Sequence, residues 1–288
     1  MLTHHNPQPR KPTRIVILGA NGFVGRSLAA KLAADGVPVD AIGRNEIDLA
    51  ADGAADKLSA LMRADDTIVV LAAITPDKGR GIAAFLANIK MGVAICSALE
   101  RVSPAHLIYF SSDAVYPLRG GLVNEDSCAE PTDLYGSMHL ARELMMKGAV
   151  KVPLAVLRPS IIFGAGDTHN SYGPNRFRRM AKEGRITLFG EGEETRDHIC
   201  IDDVVTLTAL TILHRSAGTL NLATGQSMSF RAVAERVANL FKGKIDIVGS
   251  PRQNPITHRS YDVTAIYRSF PQFRFTPIDQ GLAAAHSE

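Results

Sequence analysis

The sequence predicts an α/β protein with a doubly wound parallel sheet and a smaller C-terminal lobe. Short apolar runs alternate with stretches of helical periodicity through the first half of the chain. A glycine-rich turn joins the first apolar run to the first helical stretch, and the regular alternation weakens after Pro159. Strands and helices that alternate in this way form a parallel sheet with helices on both faces.

The predicted elements follow from apolar periodicity. Strands are predicted over residues 14–18, 37–42, 67–71, 106–110 and 154–157, and helices over residues 23–34, 82–99 and 134–147. Beyond Pro159 a stretch rich in Gly, Asn and Thr (164–174) precedes two isolated strands, 185–189 and 245–248. This later part is typical of loops and a small lobe over the carboxyl edge of the sheet, where doubly wound proteins bind ligands.

Three segments are therefore expected. Residues 1–13 hold two His, three Pro and no apolar stretch, which predicts a disordered tail without a secretory signal. Residues 14–160 are predicted to form a Rossmann-like NAD(P)-binding domain. Residues 161–288 are predicted to be mainly a substrate-binding lobe, with some segments returning to the first domain.

Composition argues against several classes of protein. The net charge is only +3, aromatic residues make up 6% and Trp is absent, so a nucleic-acid partner is not expected. The apolar run 68–74 is too short to cross a membrane. Three widely spaced cysteines fit neither a disulfide framework nor a zinc site, and they favour a reducing cytoplasm.

The first turn carries a dinucleotide-binding pattern. Gly19, Gly22 and Gly25 lie between a predicted strand and a predicted helix. Without a Cβ the backbone can turn sharply and approach a pyrophosphate, whose charge is attracted by the free N–H groups and the dipole of the following helix. The alternative is a glycine-rich turn that only packs helix against strand. The strand-turn-helix context favours cofactor binding.

The end of the second strand bears on the choice of cofactor. NAD enzymes place an acidic residue there for the ribose hydroxyls, but this strand ends in Gly43 and Arg44. A guanidinium can pair with a 2′-phosphate, whereas Asp40 lies earlier and is expected to point elsewhere. NADP is therefore favoured over NAD. A solvated loop arginine is the alternative for Arg44.

Several ordered motifs resemble the extended short-chain dehydrogenase/reductases, in particular the NAD-dependent epimerase/dehydratase group that acts on nucleotide-activated sugars. The resemblance covers residues 14–282. Its motifs are the loop 19–25, Asp48-Leu49, Leu71-Ala72-Ala73, Asn88, Ser111-Ser112-Asp113-Ala114-Val115-Tyr116, Tyr135-Gly136, Arg158-Pro159, Phe189-Gly190-Glu191-Gly192, and Arg196-Asp197 followed by Asp202-Asp203-Val204. Each motif alone is weak, but their order and spacing are specific for the fold.

The resemblance implies roles for individual residues. Ser112 would hold the reacting oxygen, and Tyr135 would exchange a proton with it. With the glycine loop and Arg44, the candidate cofactor-binding set is Gly19, Asn21, Gly22, Phe23, Val24, Gly25, Arg44, Asp48, Leu49, Leu71, Ala72, Ala73, Asn88, Tyr135, His139 and Pro159. The candidate substrate-binding set is Ser112, Asp113, Asn175, Phe189 and Arg196. For Arg196 a salt bridge to Asp202 or Asp203 is an open alternative, and His169 and His198 are interpreted as loop or core residues rather than metal ligands.

Two positions depart from the family pattern. His139 stands where the family has lysine, one helical turn after Tyr135. A histidine near its unperturbed pKa of about 6.5 is mostly neutral at pH 7, so a phenolate is harder to form and reduction is favoured over oxidation. If protonated His139 assists Tyr135, reduction should fall as the pH rises through that range. Ala114 replaces the glutamate base of the sugar dehydratases, which argues against a 4,6-dehydratase.

The leading hypothesis is an NAD(P)-dependent oxidoreductase that reduces a keto group of a nucleotide-diphosphate sugar. Ser112, Tyr135 and His139 are its candidate catalytic residues. The alternatives are a nucleotide-sugar epimerase with tightly bound NAD and a catalytically weak dinucleotide-binding protein. A cytoplasmic homodimer is expected, with no metal, nucleic-acid or membrane partner.

Overall fold

The computed structural model describes residues 1–170, 172–252 and 254–287. Its central sheet contains, in spatial order, β1 (Thr3–His4), β12 (Ser216–Leu222), β7 (Leu154–Pro159), β5 (His106–Phe110), β4 (Asp66–Val70), β2 (Arg14–Leu18) and β3 (Val39–Ile42). Every pairing in this sheet except that of β1 is parallel. The chain runs from β2 to β3 on one side and then back to β4 on the other side of β2. The order therefore reverses between β2 and β4, and this is where a doubly wound sheet opens a crevice for a ligand. The predicted fold class is confirmed.

The shorter sheets contain β6 (Leu122–Val123), β8 (Ile161–Phe163), β9 (Arg185–Phe189), β10 (Thr195–Arg196), β11 (His198–Cys200), β13 (Met228–Ser229), β14 (Asp246–Ser250) and β15 (Ser260–Tyr261). The helices are α1 (Phe23–Ala34), α2 (Ala54–Leu61), α3 (Ile82–Arg101), α4 (Leu134–Ala149), α5 (Pro174–Lys182), α6 (Ile201–Leu213), α7 (Phe230–Ala238), α8 (Thr264–Ser269) and α9 (Ile278–His286).

Both faces of the central sheet are buried. Along β2, Ile15 and Ile17 belong to one apolar cluster, whereas Val16 and Leu18 belong to the other. Successive side chains of a strand point to opposite faces, so a strand covered by helices on both sides must be apolar throughout. This requirement explains why the continuous apolar runs predicted these strands to within a few residues.

The N-terminal segment is ordered, and its prediction as a disordered tail is wrong. Thr3 and His4 pair antiparallel with Ala217 and Ser216 at the edge of the sheet. His4 also bonds to the Ser216 hydroxyl at 2.8 Å and stacks on His214 with ring centroids 4.5 Å apart. A two-residue strand has no periodicity of its own, so its order comes from pairing with β12.

Helix α3 is unusually apolar for a helix at the surface. Its most apolar 18-residue window has a mean hydropathy of 1.8, and 28% of that window is buried. By length and composition alone, α3 could cross a membrane, but a helix of a folded domain can meet the same criteria. Here α3 packs along α2 and α4 on one side of the sheet.

The later part of the chain covers the carboxyl edge of the sheet. The parallel pair β9 and β14 packs with α5 and α7 into a small lobe. In contrast, α6 packs on α1, and β12 pairs with β7, so these later segments contribute to the central sheet and its helical layer.

Candidate active site

A cavity of about 240 Å³ lies where the segments after β2, β4, β5 and β7 converge. Twelve of the sequence-predicted site residues line it: Gly19, Gly22, Phe23, Val24, Gly25, Leu71, Ala73, Ser112, Asp113, Tyr135, His139 and Pro159. Residues 75–78 form one further wall and residues 167–169, with Tyr172, form another. The cavity therefore joins the glycine loop to the Ser112 and Tyr135 pair.

The glycine loop has the geometry of an anion cradle. Gly19 has φ +92°, and a Cβ there would lie 2.7 Å from the backbone nitrogen of Ala72. A Cβ on Gly25 would lie 2.7 Å from the Cα of Ala20, so the helix packs directly on the loop. No side chain caps α1, whose N-cap is Gly22. The N-terminus of α1 thus offers backbone amides and a positive dipole end to a pyrophosphate, which fits a dinucleotide.

Ser112 and Tyr135 both line the cavity, and Ser112 is close enough to Tyr135 to lower the pKa of its phenol. Ser112 ends the segment after β5, and its Oγ also accepts the amide of Ala114 at 3.1 Å. Tyr135 lies in the first turn of α4, where Asp133 caps the helix by accepting the Gly136 amide at 2.8 Å. A Cβ on Gly136 would overlap the carbonyl oxygen of Ala114. Glycine at this position therefore lets the tyrosine approach the serine.

The environment of Tyr135 favours its neutral phenol. Burial raises the pKa of Tyr135 well above its usual value, and Tyr172, Tyr109 and Asp113 raise it further. Ser112 lowers this pKa but does not offset burial. Tyr135 is consequently a neutral phenol at ordinary pH and would enter a reaction with its proton in place.

His139 lies beside Tyr135, with ring centroids 4.6 Å apart in an edge-to-face arrangement. Its Nδ1 bonds to the Tyr109 hydroxyl at 2.8 Å, while its buried Nε2 has no hydrogen-bond partner within the described part of the chain. Burial, with a smaller contribution from the Arg142 charge, lowers the pKa of His139 to about 3. The sequence predicted that reduction would fall as the pH rises through about 6.5. This prediction is corrected, because burial keeps the imidazole neutral across that range.

Asp113 faces the cavity but is also tied to the C-terminal part of the chain. Its carboxylate accepts hydrogen bonds from Arg259 at 2.9 Å and from the Tyr261 hydroxyl at 2.8 Å. Arg259 also donates to the Tyr116 carbonyl at 2.8 Å. The carboxylate thus joins the Ser112 segment to β15, a structural role that sequence reasoning missed.

The remaining predicted substrate residues lie outside the main cavity. Asn175 donates to the carbonyls of Asp167 and His169, which fixes the loop before α5. Phe189 lines a separate cavity of about 50 Å³, with the Arg176 guanidinium 5.8 Å from its ring centre.

Arg196 makes none of the salt bridges considered from the sequence. Its Nη1 donates to the Thr257 carbonyl at 2.7 Å and its Nη2 to the Thr257 hydroxyl at 2.6 Å. Asp203 instead accepts the hydroxyl and amide of Thr276. Burial and the nearby Arg259 lower the pKa of Arg196.

Several predicted cofactor residues do not line the cavity and instead bond or pack elsewhere in the chain. Arg44 extends into solvent and bonds to Asp48 at 3.1 Å, while Asp40 is paired with Arg14 at 2.7 Å. The side-chain oxygen of Asn88 accepts the Ile74 amide, and its side-chain nitrogen donates to the Ile74 carbonyl.

The other three residues of this group pack or bond locally. The side chain of Leu49 is buried in the core, and Ala72 lies against Gly19. The backbone carbonyl of Asn21 accepts a hydrogen bond from Arg26 at 2.7 Å.

The cavity also contains a titratable group that the sequence did not single out. Asp167 is buried, and desolvation raises its pKa to about 6, although the His169 amide bonds to its carboxylate. No short motif marks this aspartate. It belongs to the Gly-rich stretch that was predicted only as a loop.

Comparisons with known proteins agree with this geometry. Residues 15–223 match the model of a family described as the NAD dependent epimerase/dehydratase family. The match includes the glycine loop, the Ser112 segment and Tyr135.

Solved structures with the same fold cover almost the whole chain. MoeE5 in complex with UDP-glucose and NAD is 22% identical, with a TM-score of 0.81 and coverage of 95% of this chain and 97% of that one. A UDP-N-acetylglucosamine 4-epimerase from Methanobrevibacter ruminantium M1, in complex with UDP-N-acetylmuramic acid, is 19% identical, with a TM-score of 0.83 and coverage of 96% and 98%. A GDP-L-fucose synthetase from Naegleria fowleri bound to NADP is 16% identical, with a TM-score of 0.83 and coverage of 100% and 97%. At these identities the likeness establishes the fold.

Proposed function

Because the chain belongs to the NAD dependent epimerase/dehydratase family, we propose that it uses NAD(P)H to reduce a keto group of a nucleotide-diphosphate sugar. The observation that carries this proposal is the Ser112 and Tyr135 pair, which adjoins the glycine cradle in surroundings that keep the phenol protonated. Residues 14–160 would hold the dinucleotide, and the later lobe would hold most of the substrate.

A reduced nicotinamide, held by the glycine loop, would supply the hydride for this reaction. Tyr135 donates its phenolic proton to the carbonyl oxygen as negative charge develops there. Ser112 donates a second hydrogen bond to the same oxygen. Ser112 Oγ accepts the Ala114 amide, and its own proton makes only a long bond of 3.4 Å to Asp113, so it can turn to the substrate oxygen instead.

The electrostatics favour reduction over epimerisation. An epimerase must oxidise and then reduce, so its tyrosine has to act as a base in one half of the turnover. Burial disfavours the phenolate of Tyr135, and the neutral imidazole of His139 supplies no compensating charge. A reductase begins from the neutral phenol, and the phenolate left by proton donation is reprotonated from solvent before the next turnover.

We also propose NADP as the preferred cofactor. Arg44 extends from the end of β3, with an exposed side chain whose partner is Asp48. A 2′-phosphate could take the place of that carboxylate and receive a charge-assisted bond. The structural relatives do not decide the matter, since one is in complex with NAD and another is bound to NADP.

The exposed apolar surface of α3 and α4 supports a homodimer. Ile82, Leu86 and Val93 on α3 are 69%, 57% and 51% exposed, and Leu144 on the adjoining α4 is 61% exposed. Apolar side chains grouped on two neighbouring helices indicate a protein interface. A second copy of the chain, presenting the same two helices about a twofold axis, would bury them.

The test combines a substrate panel with a matched pair of variants. Purified protein is incubated with NADPH and nucleotide-diphosphate keto sugars, and nicotinamide oxidation and sugar products are measured. Tyr135→Phe should abolish turnover while retaining cofactor binding, and Tyr267→Phe, a surface change, should match the wild type. Interconversion of non-keto nucleotide sugars by tightly retained NAD would identify an epimerase instead. Dinucleotide binding without turnover of any sugar would identify a binding protein.

A further inference from the structure

His139 lies at the junction of the cavity and the protein core. Its Nδ1 faces the core and bonds to Tyr109 Oη at 2.8 Å. Its ring also lines the cavity, and its Nε2 is buried without a hydrogen-bond partner among the residues described. One nitrogen of this cavity-lining residue is therefore bonded to the core, and the other has no partner among the described residues.

Arg142 lies behind this pair as a buried cation. It is 0% exposed, its Nη1 donates to the Ala72 carbonyl at 2.9 Å, and its guanidinium carbon lies 5.2 Å from the centre of the Tyr109 ring. Its Nε and Nη2 have no hydrogen-bond partner within the described chain. On α3, Gly92 makes room for it, because a Cβ there would lie 3.1 Å from Arg142 Cγ.

These neighbours determine which atom carries the imidazole proton. Burial raises the pKa of Tyr109 to about 12, so this phenol keeps its proton. The adjacent Arg142 guanidinium has donors only and cannot accept that proton. The Tyr109 proton is therefore directed to Nδ1 of His139, and the single proton of a neutral imidazole must then lie on Nε2.

Other charged groups near the pair do not reverse this arrangement. Glu143 acts on Tyr109 from α4, but its carboxylate is paired with Arg158 at 2.6 Å and accepts the Ser111 hydroxyl. Cys96 on α3 is a neutral thiol, because burial raises its pKa to about 11. Tyr135, which packs on the imidazole from α4, is a neutral phenol. Among the described residues, Arg142 is thus the charge that acts on His139, and it opposes an imidazolium.

We propose that Tyr109 and Arg142 are positioning residues that hold His139 neutral with its proton on Nε2, so that the imidazole donates a hydrogen bond into the dinucleotide pocket. The proposal rests on the proposed function, which places a dinucleotide in this cavity. His139 then acts as an oriented neutral donor to an oxygen of the bound cofactor, and not as a cation. Arg142 has a second effect, since it holds Ala72, whose backbone lies against Gly19.

The direct test is the protonation state of His139 in the full chain without added cofactor. Protein labelled with ¹⁵N-histidine is examined by NMR between about pH 5.5 and 8.5, and a His139→Gln variant identifies the resonances. The expected result is a neutral imidazole with its proton on Nε2 throughout this range. A wild-type His139 that is protonated on Nδ1, or on both nitrogens at pH 7, would overturn the proposal.

Two variants test whether Tyr109 and Arg142 control the protonation of His139 or only pack against it. Tyr109→Phe removes only the hydroxyl and should move part of the proton from Nε2 to Nδ1, with a loss of dinucleotide affinity of up to about tenfold. Arg142→Met should raise the pKa of His139, whereas Arg101→Met, an exposed change on α3, should leave its titration unchanged. An unaltered tautomer in folded Tyr109→Phe would refute the role of Tyr109. If Arg142→Met does not fold, Arg142→Lys, which keeps the charge, should retain the low pKa, and a normal pKa in that variant would refute the role of Arg142.

This test fails separately from that of the proposed function. The tautomer is measured in the absence of cofactor and substrate, so it does not depend on turnover. A correct tautomer in a protein that binds no dinucleotide would support the positioning of the proton but exclude the proposed acceptor. A wrong tautomer in an active reductase would leave the proposed function intact and reject the inference.

Discussion

Single side chains in the cavity owe their chemistry to burial and to partners far away in sequence. Ser112, Tyr135 and His139 could be located from short motifs because their spacing follows one strand end and one helical turn. The partners of Asp113 could not, because Arg259 is 146 residues away and no local pattern links the two. The charge of His139 could not be predicted from the sequence either, since it depends on burial and on Arg142.

At this scale Arg44 provides a prediction about cofactor choice. Arg44→Ala should weaken NADP binding by about 1.5 to 3 kcal/mol, through loss of one charge-assisted bond, and leave NAD binding nearly unchanged. Both oxidised cofactors are titrated by calorimetry. Arg119→Ala is a suitable control, because this arginine is also exposed and paired with a carboxylate, Glu130, but does not line the cavity. A wild type that binds NAD as tightly as NADP would contradict the prediction.

The elements show where sequence patterns suffice and where tertiary pairing decides. The apolar runs at β2 and β5 predicted both strands because each is buried on both faces and must be apolar throughout. The order of β1 was missed because it depends on the open edge of β12. Sequence also predicted α4, but not that its first turn would have to lie against Ala114.

Two glycines of α4 test this contact. Gly136→Ala should displace the first turn of the helix and lower kcat for reduction by at least about tenfold, since a misplacement of about 1 Å can cost 100-fold. Gly148→Ala in the same helix meets open space and should instead stabilise the protein by about 0.5 to 1 kcal/mol. Steady-state kinetics and urea unfolding are measured for both variants. Equal kinetics for the two would show that the Ala114 contact does not position Tyr135.

For the whole molecule, the apolar face of α3 and α4 leads to a prediction about assembly. The double change Leu86→Glu and Val93→Glu should convert the proposed homodimer into a monomer, because the charges could not be buried between two copies. Light scattering after size-exclusion chromatography gives the mass. Leu122→Glu, at an exposed leucine on β6, is the control. A wild type that is monomeric at micromolar concentration would contradict the proposed homodimer.

The buried histidines make a prediction about the whole fold in acid. Burial lowers the pKa of His106 to about 4, of His139 to about 3 and of His198 to about 4. Between these values and the unfolded value near 6.5, the unfolded chain binds more protons at each site, so the free energy of unfolding falls as the pH falls. Asp167 acts in the opposite direction, because burial raises its pKa to about 6 and its folded form binds the extra proton. Burial also raises the pKa of Asp197 and Asp203 and lowers that of His169, so four histidines oppose three carboxyls. The histidines give a net loss of stability between pH 7.5 and 5, because their unfolded pKa of about 6.5 lies in this range whereas unfolded carboxyls titrate near about 4.

Urea unfolding at pH 7.5, 6.0 and 5.0 measures this loss. Each buried neutral histidine contributes a slope of up to about 1.4 kcal/mol per pH unit below its unfolded pKa. His198→Leu keeps the site apolar and removes one titrating group, so its free energy of unfolding should fall less steeply toward pH 5 than that of the wild type. His5→Gln changes an exposed histidine and should preserve the wild-type slope. The same slope in His198→Leu and the wild type would mean that His198 does not remain neutral in the folded protein, because only a difference in bound protons between the two states can produce the dependence.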